Sequence, residues 1–165
     1  GIIKEFVKII NNAFGYTEVG NVPFTDVKQG DWFYKEVAIA KQAGYINGKT
    51  DTTFAPNDKI TREEVAKILT TIMKNKDDKL DKLNTFPDGN KTADWAKSYV
   101  EGAIEAGYLG GDTKGYLNPT NNITRAEFCT LIINSYFCLI FNPCLQKRQY
   151  TLQNYKKIVS YETES

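Results

Sequence analysis

Two arginines stand where a cation is electrostatically out of place. Ile60-Thr61-Arg62-Glu63-Glu64 and Ile123-Thr124-Arg125-Ala126-Glu127 both read as helix starts, with Thr61-x-x-Glu64 and Thr124-x-x-Glu127 as capping boxes. Arg62 and Arg125 then occupy the first helical position, where the helix dipole is positive and a cation costs roughly a few tenths of a kcal/mol. A guanidinium placed there twice suits the capture of an anion such as a carboxylate, by its planar fork and by the neighbouring helix-start amides. The plainer alternative is an ion pair with a nearby surface Asp.

The other candidates are weaker. Trp32 and Trp95 could offer flat faces to sugar C–H groups, although aromatic residues at helix starts more often pack into a core. Asp26 and Asp88 could accept sugar hydroxyls or cap the turn before each Trp helix. Gly48 and Gly111 serve backbone geometry first and close ligand approach second. Thr61, Thr124, Glu64 and Glu127 are explained by capping alone.

Much other chemistry is disfavoured. There is no histidine, so the commonest general acid-base residue and zinc ligand is missing. Cys129, Cys138 and Cys144 lack metal-ligand spacing, and three cysteines permit at most one internal bridge. The loops from Asp51 and Asp112 resemble calcium loops only briefly, since Ala55, Pro56, Lys114 and Tyr116 fall where ligands or the required Gly belong. No pair among the 20 acidic residues stands out for glycoside cleavage. With 21 basic residues the net charge is +1, which gives no basic footprint for nucleic acid. The apolar run from Tyr136 to Phe141 is too short to span a bilayer. These readings predict no enzyme activity, no cofactor and no metal.

The elements that carry these residues repeat. Trp32 recurs as Trp95, Ala43-Gly44-Tyr45 as Ala106-Gly107-Tyr108, Gly48 as Gly111 and Pro56 as Pro119, all at an offset of 63 residues. Phe24-Thr25-Asp26 recurs as Phe86-Pro87-Asp88 at an offset of 62. A partial copy opens the chain, with Glu5 to Ile10 aligning on Glu64 to Leu69 and on Glu127 to Ile132. The sequence divides into the second half of a first copy (1–20), two full copies (21–78 and 84–138) and a tail (139–165) that matches no copy. No secretory leader is visible at Gly1, and the truncated first copy reads as a fragment or processed product.

Each full copy predicts helix, loop, helix. The first helix begins near Trp32 or Trp95 and stops at Gly44 or Gly107, where glycine suits a left-handed residue. The second starts at Thr61 or Thr124. Behind it, Val65, Ile68, Leu69 and Ile72, then Phe128, Leu131, Ile132 and Ser135, fall at helical spacing, as do Phe6, Ile9, Ile10 and Ala13. Three such stripes can bury one another. The expected fold is all-α: helix-loop-helix repeats in a pseudo-threefold arrangement around a three-helix core of residues 3–16, 61–75 and 124–137. Lys74 to Asn84 reads as an exposed linker. A short helix through Leu145, Leu152, Tyr155 and Val159 is one option for the tail.

The repeated pattern resembles the S-layer homology domain: Phe-x-Asp-Val, Trp, an alanine-rich helix ending Ala-Gly-Tyr-Ile-x-Gly, Phe-x-Pro and Ile-Thr-Arg-x-Glu. The copy from Phe24 carries every part, whereas the copy from Phe86 has Pro87 and Gly89 around Asp88 and Leu117 in place of Phe54. The resemblance implies an extracellular module of the bacterial cell wall, mostly of Gram-positive type. Such a module binds peptidoglycan-linked, anionic secondary cell-wall polysaccharide, often pyruvylated, in grooves between repeats. It implies Arg62, Arg125, Trp32, Trp95, Asp26, Asp88, Gly48 and Gly111 as the glycan-binding set. Gly1-Ile2-Ile3 stands where Ile-Thr-Arg is expected, so at least one groove should be incomplete. The rival readings are a protein-interaction or S-layer lattice module without glycan affinity, and the anchoring part of a surface glycoside hydrolase.

Overall fold

The computed structural model describes the backbone of residues 1–141 and the side chains of residues 1–138. The predicted tail helix lies outside the described residues. Among the described residues five α-helices carry the fold: α1 (Ile3–Phe14), α2 (Tyr34–Ala43), α3 (Arg62–Met73), α4 (Lys97–Ala106) and α5 (Arg125–Phe141). Single 3₁₀ turns occupy Leu83–Thr85, Gly89–Lys91 and Asp94–Ala96. No sheet forms among the described residues, only isolated bridges between Ile2 and Lys59 and between Thr61 and Asn122. The fold is all-α, as expected.

Local signals placed the helix ends. Thr61 caps α3 with a full capping box. Gly44 and Gly107 close α2 and α4 at φ 81° and 86°. The stripes of α1, α3 and α5 are buried along their whole length, from Phe6 to Ala13, Val65 to Ile72 and Phe128 to Ser135.

The described residues divide into two compact units, 1–60 and 61–141. In the first unit α1 packs on α2, and in the second α3 packs on α4 and α5. The strongest partner of α1 and of α3 is therefore the helix that follows the Trp of the next copy. The expected common core would draw its three helices, 3–16, 61–75 and 124–137, from both units.

The same side-chain lock sets the helix pair in each unit. The Tyr45 hydroxyl donates to Asn11 Oδ1 at 2.8 Å, and Asn11 Nδ2 donates to the Glu36 carbonyl at 2.9 Å. In the second unit the Tyr108 hydroxyl lies 2.8 Å from Thr70 Oγ1, which donates to the Tyr99 carbonyl at 2.9 Å. Asn11 aligns with Thr70 and Glu36 with Tyr99, so the motif's tyrosine fixes equivalent registers through different partners. Burial raises both phenols far above their ordinary value, so they remain neutral hydrogen-bonding groups.

The linker after α3 is less free than its charge suggests. Leu83 is buried, and the Lys82 and Leu83 amides donate to the two oxygens of the fully buried Glu101 at 2.7 and 3.0 Å. Asn75 Nδ2 donates to the Gly102 carbonyl at 2.9 Å. A Cβ on Gly102 would lie 2.3 Å from the Asn75 carbonyl oxygen, so glycine there admits the linker's backbone. The segment has exposed charges, but α4 straps it down.

Gly48 illustrates a glycine required twice over. Its φ is +88°, and a Cβ would sit 2.5 Å from the Phe24 ring and 2.7 Å from the Thr53 carbonyl oxygen. Gly44, at φ +81°, has nothing within 4 Å of that position. Gly44→Ala is expected to cost about 1 kcal/mol and Gly48→Ala about 2–3 kcal/mol. Urea unfolding of both variants checks the order, and equal losses would contradict the packing argument.

Candidate functional site

The site grows from the way a helix start meets the loop of the next copy. The first amides of a helix lack intrahelical partners. In α3, the Arg62 amide donates to the Asn121 carbonyl at 2.9 Å and the Glu63 amide to the Pro119 carbonyl at 2.8 Å. The Glu64 amide donates to Thr61 Oγ1 at 3.3 Å, and the Val65 amide to the Thr61 carbonyl at 3.1 Å. In α1 the Ile3 and Lys4 amides donate to the carbonyls of Asp58 and Pro56 at 2.9 and 3.3 Å. Asp58 and Pro56 answer to Asn121 and Pro119, so the two units use one device. This corrects one expectation: the helix-start amides beside Arg62 are already satisfied within the fold and do not offer an anion cradle.

The Arg62 side chain projects from this junction. Its Nε donates to the Leu117 carbonyl at 2.8 Å and its Nη2 to the Gly110 carbonyl at 3.4 Å. Its Nη1 meets Glu127 Oε2 at 2.8 Å, with the two side chains 14% and 45% exposed. These bonds offset the dipole cost of a cation at a helix start. The plainer alternative is met in kind, though the acidic partner is Glu127 on α5 rather than an Asp. Capping was expected to account for Glu127 completely. Its Oε1 does take the Thr124 hydroxyl at 3.0 Å, but the other oxygen serves Arg62.

Two cavities flank this ion pair. One of about 390 Å³ is lined by Arg62, Gly110, Gly111, Glu127, Thr130 and Asn134 among others. The other, of about 420 Å³, is lined by Arg62, Gly111, Asp112, Asn118, Asn121, Asn122 and Glu127. Arg62, Gly111 and Glu127 border both, so the pair forms the partition of one groove between the second copy's α3 and the third copy's loop and α5. Each volume falls in the range of small-ligand sites. Amide, hydroxyl and ionic groups dominate the polar lining, a set that can donate to and accept from sugar hydroxyls. Among the described residues no cluster of His, Cys, Asp or Glu could hold a metal.

The structure gathers only part of the expected set. Arg62 and Gly111 share the groove. Arg125, half-buried at the first position of α5, lines neither cavity. Asp26 and Asp88 perform a task not foreseen. Asp26 accepts the Phe54 and Ala55 amides at 2.9 and 2.8 Å, and Asp88 accepts those of Leu117 and Asn118 at 2.9 and 2.8 Å. Ala55 and Asn118 have left-handed backbone, at φ 59° and 52°, so each carboxylate clamps a strained corner after the Trp helix. The clamp at Asp88 also fixes Leu117, whose carbonyl holds Arg62.

Trp32 and Trp95 do not fill the core: they are 56% and 51% exposed. Lys8 Nζ lies 5.9 Å from the Trp32 ring centre and Lys67 Nζ 5.4 Å from that of Trp95, and Lys8 aligns with Lys67. Each unit thus presents an exposed aromatic face beside a cation. Gly48 lies in the first unit. There Ile3, at the position of Arg62, is buried and carries no charge.

Burial alone would raise the Asp26 carboxyl. The amide hydrogen bonds from Phe54 and Ala55 outweigh burial and hold it below the ordinary carboxylate range. A lowered folded value means that the unfolded chain binds more protons in acid. The stabilisation is therefore complete above the unfolded value and is lost as pH falls through the folded one. Asp26→Asn is expected to melt lower at neutral pH and to lose less stability below about pH 4. Melting temperatures between neutral and acid pH check this, and parallel curves would contradict it.

Comparison with known proteins places this geometry. The profile of the S-layer homology domain matches residues 23–66 and 85–129. The chain belongs to the S-layer homology domain family. It is 36% identical over 130 residues to the surface-layer 125 kDa protein of Lysinibacillus sphaericus, covering 77% of this chain and 11% of that protein. It is 34% identical over 119 residues to the exoglucanase XynX of Acetivibrio thermocellus, covering 70% and 11%. Against the S-layer protein EA1 of Bacillus anthracis it is 30% identical over 113 residues, covering 68% and 13%. The chain thus spans only about a tenth of the length of these relatives. The family and the S-layer relatives indicate a location at the cell surface and cell wall. No helix among the described residues is long and apolar enough to cross a membrane.

Proposed function

We propose that this chain is a non-catalytic anchor that holds a surface protein to the bacterial wall by binding a secondary cell-wall polysaccharide. The observation that carries the reading is Arg62. Its guanidinium is fixed by two backbone carbonyls and borders both halves of an inter-repeat groove with hydroxyl-binding walls. An acidic substituent such as a pyruvyl carboxylate would dock on the guanidinium. Asn118, Asn121, Asn134 and Thr130 would meet hydroxyls of the same peptidoglycan-linked glycan. Trp95 and Trp32 would offer stacking faces for further sugars. Arg125 would take part only in a groove other than this one. Catalysis, as in the glycoside hydrolases among the relatives, would reside in other parts of such proteins.

Calorimetric titration of the chain with purified secondary wall polysaccharide tests the reading. Saturable binding that salt weakens is expected. No heat at any salt concentration would favour the rival, a protein-interaction or lattice module, for which the exposed Trp32 and Trp95 would be the natural contacts.

A further inference from the structure

The groove contains a feature that an anion-binding site would not be expected to keep. Its charged lining residues are Arg62, Glu127 and Asp112, two carboxylates for one guanidinium. Asp112 is fixed in place, accepting the Lys114 and Tyr116 amides at 2.9 Å each and Asn118 Nδ2 at 3.1 Å. The Tyr116 amide above all, with Asn118, holds its carboxyl below the ordinary range, so it stays charged. Glu127 sits directly on Arg62 Nη1.

We propose that Glu127 restrains the groove's preference for acidic ligands: it fills the place on Arg62 that a ligand carboxylate would take, so binding exchanges one carboxylate for another. The inference rests on the wall-glycan reading. Three observations make the exchange feasible. Arg62 is held independently through Nε and Nη2, so it keeps its position when Glu127 leaves. The Glu127 side chain is 45% exposed, so its released oxygen finds water at little cost. Its other oxygen stays on the Thr124 hydroxyl, and the Glu127 amide donates to Thr124 Oγ1 at 3.1 Å, so the start of α5 survives the exchange. A neutral sugar needs no exchange, because its hydroxyls can bind the amide-rich walls with the ion pair intact. The internal carboxylate thus lowers affinity for acids while leaving affinity for neutral glycans as it is.

Glu127→Gln separates these effects, since Gln keeps the oxygen that accepts Thr124 and is itself a capping-box residue. The probe is secondary wall polysaccharide released from Lysinibacillus sphaericus walls, native or with its carboxylates amidated. Glu127→Gln is expected to bind the native polymer roughly three- to tenfold tighter than the unsubstituted chain, and the amidated polymer equally. Glu127→Ala should shift in the same direction, and melting curves of both variants verify folding. Unchanged or weaker binding of the native polymer by both folded variants would overturn the proposal while leaving the glycan reading standing. Failure of the unsubstituted chain to bind either polymer would remove that reading and this inference with it.

Discussion

Arg62→Ala is expected to weaken binding to wall polysaccharide by about ten- to a hundredfold, the worth of one hydrogen bond to a charged group. The effect should be large because Arg62 is the sole cation among the described residues that border either cavity. The substitution also removes the tie from α3 to the Leu117 and Gly110 carbonyls and leaves Glu127 without its partner. A stability loss of about 1–2 kcal/mol should therefore accompany it. The two effects separate by temperature: well below the melting transition the variant is folded, and the affinity loss should persist. Arg125→Ala, removing an arginine that lines neither cavity, should leave this groove's affinity within about twofold. Equal losses from both substitutions would show that binding does not depend on the Arg62 groove.

The second large effect is on stability. Glu101 is fully buried and accepts the Lys82 and Leu83 amides, strapping the linker to α4. Glu101→Ala leaves two amides without an acceptor, one of them beside the buried Leu83, at about 1–3 kcal/mol for each buried group left unpaired. Allowing for partial access of water at Lys82, the expected loss is about 3 kcal/mol. Chemical denaturation measures it, and a loss below about 1 kcal/mol would mean that Leu83 burial alone holds the linker. Glycan affinity of the folded protein should not change, because Glu101 borders neither cavity.

Local and repeated features were legible in the sequence. Thr61 and Glu64 specify the start of α3 within four residues, and Gly44 and Gly107 mark helix ends by a backbone requirement that side chains rarely meet. The offset of 63 residues predicted equivalent elements, and the Ala-Gly-Tyr motifs did adopt equivalent locks. Features depending on distant pairing were not legible. Asp26 and Asp88 reach loop amides 28–30 residues away, and nothing beside them in sequence announces those partners. Glu101 stands where the preceding copy has Ala38, and a lone charge in an otherwise small, buried register was the available hint.

Glu127 shows how one sufficient explanation can conceal another. The capping motif used one oxygen, and only the fold brings the other to Arg62. The exposed tryptophans ran against the general tendency of aromatic side chains to be buried. Their copies agree in exposure and in the paired lysine, a correspondence that arises only when the fold sets Lys8 and Lys67 beside those rings. The helix-start amides looked available because a helix alone leaves them free. The loop of the next copy, unseen in any local window, satisfies them.

The measurement that tests the central claim most directly is cosedimentation of this chain with bacterial wall sacculi, before and after the secondary polysaccharide is stripped. The account predicts that the chain pellets with intact sacculi, remains in solution with stripped ones, and pellets poorly with either when it carries Arg62→Ala. Pelleting that survives both the stripping and the substitution, or none with intact sacculi, would contradict it.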